Sequence, residues 1–120
     1  MRDLLRALAA LVVAVPALAQ TSTPPVIAPN EARNHVGEVV TVEGLAAEVH
    51  HAASGKVTFI DMGARYPNNP FAGVIFSGDA SKFPNVDNLE GKTIDVTGKV
   101  QLYRNAPEII LNDVAQIKIR

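Results

Sequence analysis

The side chains in this chain that could do chemistry are three histidines, a few isolated carboxylates, and arginines set beside aromatic rings. His50 and His51 are adjacent, with His35 earlier in the chain. Neighbouring histidines on an extended strand point to opposite faces. No spacing of Cys, His, Asp or Glu around them reads as a metal-ligand set. The expectation is two solvated histidines at a strand end. Asp61 could serve as a general acid, yet the sequence offers it no partner for a nucleophile–base pair, and an outward strand carboxylate is expected. Glu108 follows Pro107 at a turn, where a carboxylate commonly accepts a backbone or Lys/Arg hydrogen bond. The chain has no glycine-rich phosphate loop and no Gly-x-Ser-x-Gly elbow. The reading is therefore not an enzyme, with no metal and no cofactor.

Binding chemistry is better represented. The stretch "ARYPNNPF", residues 64–71, contains Arg65, Tyr66 and Phe71. Its two prolines and two asparagines are explained by a chain reversal; the cation and the two rings are not. If Thr58, Ile60 and Met62 point inward, Val57, Phe59 and Asp61 point outward. Tyr103 and Arg104 lie in a later turn, and Lys56 and Lys99 add charge. An exposed ring stacks on a nucleobase for about 1–3 kcal/mol. The competing expectation is that Phe59, Phe71 and Phe76 are core residues, since the chain has only six aromatics.

These residues need strands to position them. Asn30 caps a predicted helix of about two turns over "NEARNHVG", with Gly37 as its stop. Residues 38–50 alternate as a strand, and Gly44 within it predicts a bulge or bend where the strand changes partner. Further strands are predicted over 56–63, 70–76, 92–103 (bent at Gly98) and 108–119 (interrupted near Asn112-Asp113). Residues 78–91 form a polar connection with a short helical turn. Long, glycine-bent strands suit a small closed barrel. The expected fold is all-β: a five-stranded Greek-key OB-fold barrel, with a short N-terminal helix and a helical connection between strands three and four. A β-sandwich of about seven shorter strands is the competitor.

The chain's beginning reads as an address. Arg2 and Arg6 precede the apolar run "ALAALVVAVPALA", residues 7–19, which closes on Ala17-Leu18-Ala19. A basic head, an apolar middle and small residues at −3 and −1 form a signal peptide. The run is shorter than the roughly 20 residues a spanning helix needs. No cysteine follows it to carry a lipid, so the expected mature protein begins at Gln20, has no stable membrane insertion, and is periplasmic or secreted. Residues 20–29, with three prolines and no charge, read as an extended tether before a domain over 30–120. Losing Arg2, Asp3 and Arg6 leaves nine basic and eleven acidic residues. That balance exerts no general pull on nucleic acid or anionic lipid.

The segments "HVGEVVTVEGLAAEVH", "GKVTFIDMG", "LEGKTIDVTGKVQLY" and "APEIIL" together resemble the OB-fold superfamily of tRNA-anticodon-binding and single-strand-binding domains. More closely, they resemble small exported bacterial OB-fold proteins. The resemblance spans roughly residues 31–119. It implies that Phe59, in "TFIDMG", occupies the place where related domains stack a base. Met62-Gly63-Ala64 replaces the leucine-arginine-aspartate usual there, and Asn105 replaces a common glycine. The implied function is an exported binding protein for single-stranded DNA or RNA, with Phe59, Arg65, Tyr66, Phe71, Tyr103, Arg104, Lys56 and Lys99 as ligand contacts. The alternative is an envelope protein that binds a small molecule or a protein partner and has no nucleic-acid role.

Overall fold

A computed structural model describes residues 22–120. The expected leader, and with it the cleavage site, lies outside the described residues. Eight strands follow in order: β1 (Val26–Ile27), β2 (Val39–His51), β3 (Val57–Met62), β4 (Phe71–Phe76), β5 (Thr93–Lys99), β6 (Gln101–Tyr103), β7 (Ala106–Ile110) and β8 (Ile117–Ile119). Hydrogen-bonded neighbours run β6-β7-β4-β3-β2-β5-β8, and β1 pairs with β2. The β4–β7 pair is parallel. Among the described residues, no helix is long and apolar enough to cross a membrane.

β2 organises the sheet. Its first half, Val39 to Leu45, pairs antiparallel with β5; its second half, Ala46 to His51, pairs with β3. Val40 and Val42 alternate into the interior, as their period predicts. The interior is filled by Ile60, Met62, Phe71, Ile94, Val96, Ile109 and Leu111.

The expected five strands are corrected to eight, and the ladder does not close into a ring. The predicted fourth strand divides at Val100, whose N–H donates to Glu38 O and whose carbonyl accepts from Gly37 N–H. The predicted fifth divides at the 3-10 turn Val114–Gln116, which Asp113 caps by accepting from Ala115 N–H. Gln116 Nε2 donates to both Thr97 O and Ile110 O, tying β5 to β7 where they share no ladder.

β2 changes partner between Leu45 and Ala46, next to Gly44 as expected, but no bulge falls at either strand glycine. Gly44 and Gly98 pair regularly, with Ile94 and Val40 respectively. A Cβ on Gly44 would lie 2.6 Å from Pro29 Cγ, and one on Gly98 would lie 2.6 Å from Ile109 Cγ2. Close approach requires glycine at these two positions. The irregularity in β2 falls later, between Ala46 and Glu48.

The predicted N-terminal helix is a 3-10 helix over Pro29–Asn34. Its start is set by Pro29 in the first turn and by Glu31 Oε1, which accepts from Ala28 N–H at 2.7 Å. Val26 and Ile27 pair with Thr41 and Val42, and Ile27 is buried, so these residues belong to the domain. The connection between β4 and β5 carries two 3-10 turns, Ser77–Lys82 and Val86–Leu89.

Candidate binding cleft

The β2–β3 ladder places Glu48 opposite Asp61 and His50 opposite Phe59. Alternation then puts all four side chains on the outer face, while Ile60 and Met62 are buried on the other. The loop after β3 carries Tyr66 and Asn69 back over this face. The β6–β7 hairpin brings Tyr103 and Arg104 from the other side. Between them lies a cleft of about 550 Å³, lined by His50, Phe59, Asp61, Tyr66, Tyr103 and Arg104, with Glu108 and Asn69 also contributing.

Its walls are aromatic. His50 stacks on Phe59 with centroids 4.9 Å apart, and Tyr66 tilts toward His50 at 5.7 Å. Arg104 lies over the Tyr103 ring at 5.2 Å, within cation–π range. The hairpin turn explains the exposure of this pair. Arg104 and Asn105 both have positive φ, 51° and 65°, between Tyr103 and its partner Ala106. A two-residue turn with both φ positive matches the twist of the flanking strands. Asn105 suits that conformation; Arg104 is an unusual residue for it.

The floor is acidic and ordered. Asp61, 1% exposed, receives His50 Nδ1 on Oδ2 at 2.7 Å and Asn69 Nδ2 on Oδ1 at 3.1 Å. Burial holds its pKa above the usual carboxylate value against the lowering effect of His50; Glu48 pushes the same way as burial. Asn69 also donates to Phe71 O, which pins the loop. Glu108 is buried and accepts from Gln101 Nε2 at 2.8 Å. Its expected hydrogen-bonded role is met by an amide rather than a cation. Glu48 accepts from Arg65 Nη2 at 3.0 Å and from Tyr66 N–H at 3.3 Å.

The cleft gathers four of the eight residues expected to contact a ligand: Phe59, Tyr66, Tyr103 and Arg104. Arg65 stands beside it, 65% exposed and paired with Glu48. Phe71 is corrected: it pairs with Met62, is 1% exposed, and belongs to the core. Lys56 precedes β3 at the end opposite Asp61, and Lys99 lies on β5; neither lines the cleft. The two histidines point to opposite faces as expected, and His51 is exposed at the strand end; solvation of His50 is corrected. His50 is half-buried in a strand and bonded to Asp61. His51 points to the other face, where its two nitrogens meet Thr58 Oγ1 and Asp87 Oδ1. The i, i+2 spacing of Glu48 and His50 carried a signal for one shared face; their meeting with Asp61 depends on the hairpin register.

No family model and no curated protein matches the chain. Solved structures do. A protein described as an aspartyl-tRNA synthetase from Leishmania major Friedlin aligns over 88% of this chain and 22% of its own, at 15% identity and TM-score 0.54. An OBody, AM1L10, bound to hen egg-white lysozyme, aligns over 84% of this chain and 98% of its own, at 18% identity and TM-score 0.60. The asparaginyl-tRNA synthetase of Entamoeba histolytica, in complex with asparaginyl-adenylate, aligns over 81% and 24%, at 20% identity and TM-score 0.53. The chain spans less than a quarter of either synthetase. The likeness is one of fold: this is an OB-fold domain.

Proposed function

We propose that this is an exported OB-fold binding protein whose cleft takes a segment of single-stranded nucleic acid. The observation that carries the reading is the convergence of Phe59, Tyr66 and Tyr103 with Arg104 on one outer face of the sheet. Rings offer faces to unpaired bases, and the guanidinium offers donors to a phosphate. OB-folds hold single strands on this kind of surface, and tRNA synthetases are among the proteins that share the fold. In this reading β5 and β6 act as one strand bent at Val100, the fourth of a Greek-key barrel.

The test is anisotropy of a labelled single-stranded oligonucleotide titrated with the protein at rising salt. Saturable binding that weakens as salt rises, and that falls for Tyr103→Ala, is expected. No saturable binding to either DNA or RNA would overturn the reading. For export, the intact mass of protein recovered outside the cytoplasm should match a chain beginning at Gln20; retention of residues 1–19 would refute it.

A second reading is an envelope protein that binds a small molecule or protein partner. It is favoured by the carboxylates of Asp61 and Glu108 in the cleft floor, which repel a phosphate backbone and suit a ligand with amino or hydroxyl donors. Binding that ignores salt, or that appears only with a non-nucleic-acid ligand, would select it.

A further inference from the structure

We infer that Glu48, His50 and Asp61 form a binding site for a divalent transition-metal ion of the zinc class in the wall of the cleft. One ligand atom from each lies within 4.8 Å of the other two. An imidazole with two carboxylates is a donor set that such ions accept, at about 2.0–2.2 Å for nitrogen and oxygen. The imidazole argues against magnesium and calcium, which take oxygen ligands.

The scaffold is suited to it. Glu48 and His50 share one face of β2, and Asp61 stands opposite Glu48 on β3, so the ladder fixes all three backbones. Asn69 holds Asp61 Oδ1 from outside, the kind of supporting hydrogen bond that orients metal-bound carboxylates. The ion would replace the proton shared by His50 Nδ1 and Asp61 Oδ2, now 2.7 Å apart, and Glu48 would turn in to join them. Glu48 now accepts from Tyr66 N–H at 3.3 Å and from Arg65, which is 65% exposed and can turn into solvent without burying a charge. A divalent ion would also neutralise two facing carboxylates, one of them buried. His50 and Asp61 both line the cleft, so a coordination position left open there faces whatever the cleft holds.

Calorimetric titration of the purified protein with zinc chloride alone tests this, with no oligonucleotide present, so that its outcome is separate from that of the nucleic-acid reading. Expected is one saturable equivalent of zinc, at least tenfold weaker binding in Glu48→Gln and in His50→Ala, and no saturable magnesium binding. His51→Ala removes an exposed imidazole on the opposite face and should leave the affinity unchanged. Melting curves confirm that each variant is folded; Glu48→Gln, at a partly exposed position, keeps the test open if His50→Ala is not. A cobalt(II) titration adds a second readout, the visible absorption of the low-symmetry complex. No saturable zinc binding, binding unaltered in folded Glu48→Gln, or binding lost with His51→Ala would each overturn the inference.

Discussion

His50 Nδ1 meets Asp61 Oδ2 at 2.7 Å across the β2–β3 ladder, while the adjacent His51 turns to the opposite face and meets Asp87. The two histidines should therefore differ in their contribution to stability. His50→Ala leaves a buried carboxylate with Asn69 as its remaining side-chain partner and removes the ring stacked on Phe59. A loss of about 1–3 kcal/mol is expected from the lost hydrogen bond. His51→Ala breaks an exposed pair with Asp87 and one bond to Thr58 Oγ1, and should cost less, about 0.5–1 kcal/mol. Denaturant melts with chelator present compare the two; equal losses would show that the His50–Asp61 bond is not holding the ladder.

Phe59 and Phe71 make a second pair of opposites. Phe59 lines the cleft and Phe71 fills the core. Phe71→Ala should cost about 3–5 kcal/mol of stability through the cavity it leaves. Phe59→Ala should cost clearly less stability, and should weaken oligonucleotide binding by about 1–3 kcal/mol whatever the base sequence. A melt and an anisotropy titration on the two variants check this. A core-sized stability loss for Phe59→Ala with unchanged binding would place that ring with the core.

Strand parity was readable around Phe59, because Thr58, Ile60 and Met62 alternate with it and are all buried; Asp61 breaks the burial pattern because the loop after β3 covers it on the outer face. It was not readable for Phe71. β4 is buried from Phe71 to Ile75 and so shows no alternation. The partnership of His50 with Asp61 was hidden for another reason: it depends on how β2 registers against β3, and the irregularity between Ala46 and Glu48 shifts that register. The breaks at Val100 and at Val114–Gln116 depend on contacts from distant segments, including Glu38 and Thr97, that no local pattern reveals.

Arg104 occupies a left-handed backbone conformation, φ 51°, that costs a non-glycine residue about 1–2 kcal/mol. Arg104→Gly should relieve that cost, offset in part by the extra freedom glycine gains when unfolded. The expected outcome is unchanged or raised stability, by up to about 1 kcal/mol, together with weaker and less salt-sensitive oligonucleotide binding. A side chain kept at this position for the turn alone would show the opposite: destabilisation, with binding intact.

Gly98 shows why a glycine in a strand should be judged by what approaches it. It pairs with Val40 in a regular ladder, and a Cβ there would sit 2.6 Å from Ile109 Cγ2 and 3.1 Å from Gln116 Nε2. Ile109 is fully buried, so it has little room to retreat. Gln116 Nε2 is the group that ties Thr97 to Ile110, so displacing it also loosens the β5–β7 contact. Gly98→Ala should already destabilise, by roughly 1–3 kcal/mol from overpacking, and Gly98→Val should cost more. The strain should be relieved by making room: Ile109→Ala removes the Cγ2 methyl that a Cβ at position 98 would meet. In a double-mutant cycle, Gly98→Ala with Ile109→Ala should then lose less than the sum of the single losses. Melting curves of the four proteins measure the coupling, and strict additivity would mean that Ile109 is not what keeps this position a glycine.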